Sequence, residues 1–256
     1  MRIAFAGKGG TGKTVLVGTL ARVLARRSRS VLVCDFDVNP GVGLSLGDLD
    51  GDGRFPFEAV AAEEGAQYGY TLRPDLSPVE AVARYAARGP EGIRLLSLGT
   101  IETAHHDLAR THMAVRQTAA SFDEPGWDVL VDMEAGTKDL YDGTYVSFVD
   151  LVVLVTDGSP VAELTCRRLA SIARAQEGPP AALVANRVTP ERHHRAQRLA
   201  RELGMDLVGT VPADDAVRRA DLHGIALLDY APSAPAVNAV QLLADALRLE
   251  ARGVRR

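Results

Sequence analysis

Eight residues near the start of the chain, Gly7-Lys8-Gly9-Gly10-Thr11-Gly12-Lys13-Thr14, constrain the fold more than any other stretch. They follow a short apolar run, Ile3 to Ala6, and lead into the helical periodicity of Thr14 to Leu24. The pattern G-x-x-x-x-G-K-[ST] between a strand and a helix makes a loop whose backbone N–H groups converge on phosphate oxygens at a helix N-terminus. Glycines supply the positive φ and the close backbone approach that such a loop requires. Gly7, Gly9, Gly10, Thr11, Gly12, Lys13 and Thr14 are therefore candidate phosphate contacts. In this arrangement Lys13 neutralises the β- and γ-phosphates and the Thr14 hydroxyl ligates Mg²⁺.

The rest of the chain repeats the strand-then-helix alternation. Apolar runs recur at Val31 to Cys34, Arg94 to Leu98, Val129 to Met133, Leu151 to Val155, Ala182 to Ala185, Leu207 to Thr210 and Ile225 to Leu228. Continuous rather than alternating runs suit strands buried on both faces. Helical periodicity fills Pro160 to Ala175, Pro190 to Leu203 and Pro235 to Leu249, each opening on a proline that suits a first turn. The expectation is one α/β domain over residues 1–256, a P-loop NTPase with a single doubly wound, mostly parallel sheet flanked by helices. Residues 47–92, rich in glycine and proline, break the pattern and read as an excursion on the sheet's rim, with short amphipathic pieces at Phe57 to Ala66 and Pro78 to Ala87.

Carboxylates fall where phosphate chemistry needs them. The second run ends in Asp35-Phe36-Asp37 and a later one in Asp132-Met133-Glu134-Ala135-Gly136. Both emerge at the carboxyl edge of such a sheet, where ligands bind. Mg²⁺ keeps most of its waters, so Asp35 and Asp132 are expected to hold the ion through water, and Asp37 to orient the attacking water. The alternative for Asp35 or Asp132 is a cap on the turn that follows.

With 46% hydrophobic residues in 256 and a net charge of −4, the chain is globular and carries no general signal for nucleic acid or anionic lipid. Cys34 and Cys166 are too far apart in sequence for a CxxC site. The absence of a run of about 18 apolar residues leads us to expect a cytoplasmic protein. Of 29 basic residues only Lys8, Lys13 and Lys138 are lysine, and all three lie in or beside the segments described so far.

The loop with its additional Lys8 resembles the deviant phosphate loop of the MinD/ParA class of dimeric ATPases. Asp35-Phe36-Asp37-Val38-Asn39-Pro40 is similar to that class's first switch, Asp132 to Gly136 to its second, and Asn186-Arg187-Val188 to its adenine-recognition Asn-Lys-x. Val211-Pro212-Ala213-Asp214 is similar to its closing strand and adenine-side loop. The Asp-Met-Glu-Ala-Gly and Asp-x-Asp-x-Asn-Pro forms are nearest to the accessory ATPases of carbon monoxide dehydrogenase maturation.

The resemblance implies ATP and Mg²⁺ as ligands, with Gly136, Asn186 and Pro212 joining the loop around the nucleotide. It implies an ATP-dependent homodimer in which Lys8 reaches the partner subunit's phosphates, with Lys8, Lys13 and Asp37 as the catalytic set. The implied function is hydrolysis that gates an accessory or maturation role toward a client protein. A positioning ATPase on membrane or DNA, and a weakly hydrolysing regulator, are the alternatives.

Relatives hold metal through cysteines in the segment corresponding to Gly99 to His112, which here has none, so a cysteine-bridged iron–sulfur cluster is excluded there. Its His105, His106 and His112 read as a polar helix, partner-facing or simply solvated, rather than a Zn²⁺ or Ni²⁺ site, since neighbouring side chains on a helix diverge by about 100°. Lys138, two residues beyond Gly136, is expected at the dimer or client interface.

Overall fold

The computed structural model describes residues 1–65, 69–98, 105–137 and 148–254, the side chains of 105–109 and 251–254 aside. The chain opens with β1 (Arg2–Gly7), α1 (Lys13–Arg26), β2 (Ser30–Asp35) and α2 (Val42–Leu46). Next come β3 (Val60–Ala62), β4 (Tyr70–Leu72), α3 (Pro78–Tyr85), β5 (Ala87–Arg88) and β6 (Arg94–Ser97). After α4 (His105–Ser121) and β7 (Trp127–Asp132) the chain alternates through β8 (Leu151–Thr156), α5 (Pro160–Ala175), β9 (Ala181–Val188), α6 (Pro190–Leu203) and β10 (Leu207–Pro212). It ends in α7 (Asp215–Leu222), α8 (Leu227–Tyr230) and α9 (Pro235–Val254).

Eight of the strands form one sheet in the order β10-β9-β8-β1-β7-β2-β6-β5. Its pairings are parallel, apart from the short β5, which runs antiparallel to β6. The period-2 alternation of a strand sorts the central apolar runs between two main cores. Ile3, Phe5, Val31, Val33, Leu151, Val153 and Val155 face α1 and α9, packing with Leu16, Leu20, Val237 and Leu243. Ala4, Ala6, Leu32, Cys34, Val152 and Leu154 face the other way, toward Val115 of α4, Leu169 of α5 and Leu199 of α6. A strand with helices on both faces has no polar side to show, which is why these runs are continuous.

The expected single sheet needs two corrections. Ile225 to Leu228 does not add a strand; Leu227 and Leu228 start α8 and pack into the α1–α9 core. Apolar runs of four residues do not separate strand from buried helix by periodicity. The eighth strand is instead β5, in the rim region, where β3 and β4 form a separate two-stranded antiparallel sheet. Phe57 to Ala66 thus gives a 3-10 turn and β3 rather than one amphipathic piece, whereas α3 lies in the expected Pro78 to Ala87 stretch, opened by a Ser77–Glu80 capping box.

The helix behind the phosphate loop is held rigidly. Gly18 of α1 lies so close to α2 that an added Cβ would sit 2.4 Å from Ser45 Cβ and 3.1 Å from its carbonyl carbon. One turn on, Arg22 is 2% exposed and donates to the Leu46 carbonyl at 2.7 Å, to Asp229 at 2.7 and 2.8 Å and to Glu91 at 2.5 and 3.1 Å. A buried guanidinium with its donors engaged on three elements locks them together, because any relative shift would strand the charge.

Gly18→Ala should therefore destabilise the protein although alanine is the better helix former. The propensity gain is about 1 kcal/mol and the overpacking cost is roughly 1–3 kcal/mol. Urea denaturation is expected to give a lower midpoint with an unchanged slope; a raised midpoint would show that α2 yields freely.

Candidate functional site

Parallel strands deliver their carboxyl ends to one edge, and the site assembles there. Register fixes who meets whom: Phe5 and Asp35 both stand opposite Asp132, and Gly7 opposite Val155. The last residue of β1, Gly7, has no space for a side chain, since a Cβ would fall 2.5 Å from the Val155 carbonyl oxygen. Gly12 caps α1 at φ +82°, and a Cβ there would meet Asn186 Nδ2 at 2.7 Å. Thr11 closes the loop on itself, its hydroxyl donating to the Lys8 carbonyl at 2.9 Å.

Of the two loop lysines, Lys13 is buried, at 6% exposed, at the start of α1. Lys8 is half-buried and its Nζ donates to the Gly9 carbonyl at 2.9 Å. The second-switch segment crosses the loop, with the Gly136 N–H donating to the Gly7 carbonyl at 3.1 Å and Ala135 Cβ 3.5 Å from where a Gly9 Cβ would be.

The carboxylates divide their work. Asp35, 1% exposed, accepts N–H bonds from Gly41 (2.8 Å) and Val42 (2.9 Å) on one oxygen and from Asp37 (3.1 Å) on the other. It does cap the turn after β2, and so shapes the first switch. Burial raises its pKa, against the pull of those three amides. The Asp37 carboxylate, half-buried, accepts the Asn39 N–H at 2.9 Å. Asp132 is different. Its Oδ2 accepts from the Thr14 hydroxyl at 2.7 Å, while its Oδ1 is buried and has no hydrogen-bond partner. Burial first, and the facing Asp35 second, push its pKa up to about 7.

A buried carboxylate oxygen left unsatisfied beside a hydroxyl and a second carboxylate is a cation-shaped deficit. Oxygen donors of this kind suit a hard ion such as Mg²⁺. The Thr14 hydroxyl and the Asp132 carboxylate are oxygen donors that fit such an ion. Asp35, with both oxygens already engaged by amides, fits at most through water.

On the far side of the loop, near the end of β9, stands Asn186, 5% exposed, whose Nδ2 donates to the carbonyls of Thr11 (2.8 Å) and Gly12 (3.3 Å). Its neighbour Arg187, at φ +59°, donates from Nη1 to the Gly10 carbonyl at 2.8 Å. Pro212 ends β10 in register with Val188, on the same edge. Sequence reasoning missed the Arg187 contact, and a left-handed arginine leaves no signal in the sequence.

His112 packs its ring near Phe36, with centroids 6.4 Å apart, so that side chain meets the first switch rather than standing out on a polar helix face. The side chains of His105 and His106, and Lys138 altogether, lie outside the described residues. Among the described residues no group of three or more metal-ligating side chains forms, and no helix is long and apolar enough to cross a membrane.

This geometry is that of a nucleotide-phosphate site, and comparison with known proteins names its family. The family model for the CobQ/CobB/MinD/ParA nucleotide binding domain matches residues 3–228. The chain belongs to that family. It is 28% identical to the carbon monoxide dehydrogenase accessory protein CooC of Rhodospirillum rubrum, over 91% of each chain. An uncharacterised ATP-binding protein of Methanocaldococcus jannaschii is also 28% identical, over 89% of this chain and 90% of its own.

In fold, the chain superimposes on a ParA family ATPase from Chlorobium tepidum with a TM-score of 0.70 at 16% identity, covering 97% and 98% of the two chains. The septum site-determining protein MinD of Pyrococcus horikoshii, complexed with Mg-ADP, gives 0.69 at 19%, covering 96% and 95%. The doubly wound, mostly parallel architecture of a MinD/ParA P-loop ATPase is therefore the fold of this protein.

A carboxyl whose folded pKa is raised stabilises the fold only while protonated. For Asp132 that contribution is full below its unfolded value of about 3.9 and is lost as the pH rises through about 7. In the nucleotide-free protein Asp132→Asn should flatten the fall in melting temperature between about pH 4 and pH 8 and melt higher than the parent at the alkaline end. Parallel pH profiles for the two proteins would refute the placement of Asp132.

Proposed function

We propose that this protein is an ATP-hydrolysing, ATP-dependent homodimer that serves as a nucleotide-gated accessory or maturation factor for a client protein. The observation that carries the reading is the pairing of a two-lysine phosphate loop with the unsatisfied Asp132 carboxylate beside Thr14. The accessory role is favoured over membrane or DNA positioning by the match to CooC, which extends along nearly the whole of both chains. The net charge of −4 gives no independent support for binding DNA or anionic lipid.

In this reading Lys13 and the loop N–H groups bind the phosphate chain, and the free Oδ1 of Asn186 accepts from the adenine amino group near Pro212. Mg²⁺, when bound with the nucleotide, would supply charge neutralisation to the phosphates. Thr14 and Asp132 would hold it, and Asp35 fixes the turn that presents Asp37. The Asp37 carboxylate orients a water on the γ-phosphorus and takes its proton as ADP leaves. Lys8, whose present bond is only to its neighbour's carbonyl, is free to turn outward and meet the phosphates of a second copy. Only the γ-phosphate would then make differential contacts across the interface, which is what a nucleotide switch requires. Gly136, hydrogen-bonded to the loop, would pass the loss of that phosphate to the second switch, and Lys138 beyond it to the interface.

Light scattering with ATP and ADP tests the dimer. Lys8→Ala should bind ATP but remain monomeric, Lys13→Ala should lose both properties, and an unsubstituted chain that stays monomeric in ATP would sink the sandwich. For turnover, Asp37→Ala is expected to bind ATP normally while phosphate release falls by about 10²–10⁴-fold, the usual worth of a positioned base. Retention of full turnover would move the water-orienting role elsewhere.

A further inference from the structure

Two successive carbonyls of the phosphate loop, Gly10 and Thr11, are held by side chains near the end of β9, and a third, Gly12, which accepts the Leu16 N–H of α1 at 3.0 Å, takes a longer bond from the same place. Arg187 Nη1 donates to Gly10, and Asn186 Nδ2 donates to Thr11 and Gly12, at 2.8, 2.8 and 3.3 Å. A trans peptide is planar, so its C=O and the following N–H point in opposite directions. Anchoring these carbonyls on the outer side of the loop therefore turns the N–H groups of Thr11, Gly12 and Lys13 toward its concave side. The Thr11 N–H makes only a long bond, 3.4 Å, to the Lys8 carbonyl.

Arg187 makes this contact from an uncommon backbone conformation. At φ +59° it is one of four non-glycine residues in the left-handed region among the described residues. Such a conformation costs of the order of 1 kcal/mol for an L side chain. Arg187 lies at a register shift of β9 against β10, between the Ala185–Thr210 and Val188–Pro212 pairs that hold the strand on either side of it. The left-handed residue at that irregularity carries the arginine stem back over the loop. A Cβ on Gly12 would lie 3.2 Å from Arg187 Cδ, a contact only glycine leaves open. A guanidinium suits the task because it stays charged and keeps further donors after one is used.

We propose that Arg187 is a positioning residue for the phosphate loop: with Asn186 it pre-organises the N–H cradle from behind, setting affinity for the phosphate chain without contacting the nucleoside. This rests on the nucleotide reading above and deepens it. Asn186 and Arg187 then link the two ends of the ligand. Asn186 holds the loop and, in the proposed function, also meets the adenine, while Arg187 holds the same loop at Gly10. Pre-organisation of this kind raises affinity by removing an ordering cost that the ligand would otherwise meet.

The test measures binding of ATP, and of inorganic tripolyphosphate with Mg²⁺, to the full chain and to Arg187→Ala and Arg187→Lys. Both variants keep a Cβ, so the backbone strain is unchanged. Arg187→Ala should weaken both ligands by the same factor, roughly tenfold for one charge-assisted bond, with an unaltered melting temperature in the absence of ligand. The loss should persist in about 0.5 M salt, where a through-space attraction to the phosphates would be screened, and lysine should restore most of the affinity. A loss confined to ATP would make Arg187 a nucleoside contact, and a loss that disappears in salt would make it a plain charge; either result overturns the proposal, as does unchanged binding of both ligands. No binding of either ligand by the unsubstituted chain would remove the nucleotide reading itself, a result distinct from any of these.

Discussion

One buried carboxylate with an unsatisfied oxygen constrains this site more than any other group. Asp132 stands between Phe5 and Asp35 at the carboxyl edge of the sheet, one oxygen held by Thr14 and the other bare. Such an arrangement costs stability in the empty protein, and in the proposed function a bound cation would return it. Everything around it serves to keep the deficit in place. The loop is fixed from behind by Asn186, α1 is locked by Arg22, and Asp35 is held by three amides and cannot swing over to share a proton or a donor.

From that constraint the division of labour among the site residues follows. Rigid strands place the groups that must not move, Asp35 and Asp132, in register. Loops that leave the same edge carry Lys8, Asp37 and Gly136, the groups to which the proposed function gives the responding roles. Gly136 bonds directly to the Gly7 carbonyl, so the second switch is in contact with the phosphate loop even without nucleotide. His112 against Phe36 adds a contact between the first switch and α4, the helix that begins in the histidine segment. A change at the phosphates thus has short physical routes to two surface regions.

The sequence made the sheet legible because its central strands are buried on both faces: seven of the eight expected runs are strands, and the central ones sort between the two main cores. The miss at Ile225 to Leu228 and the unforeseen β5 share a cause. Both are short, and their state is decided by tertiary packing at the sheet's ends rather than by any pattern of their own. The phosphate loop was legible as chemistry, since glycine, lysine and threonine at fixed spacing have few other uses. The cap formed by Asp35 was legible only as an alternative, because it depends on where the turn folds back. The Arg187 anchor was not legible: it depends on one left-handed residue and leaves no residue-type signature.

The central claim is that the Asp132–Thr14 corner is built for a cation carried by phosphate. Calorimetric titration of ATP into the protein, first with Mg²⁺ and then with the metal chelated, tests it most directly. The account predicts one nucleotide per chain with Mg²⁺ and a collapse of affinity on chelation, repeated with Mg²⁺ present in Asp132→Ala. ATP bound equally well without the metal, or unaffected by loss of the Asp132 carboxylate, would contradict it.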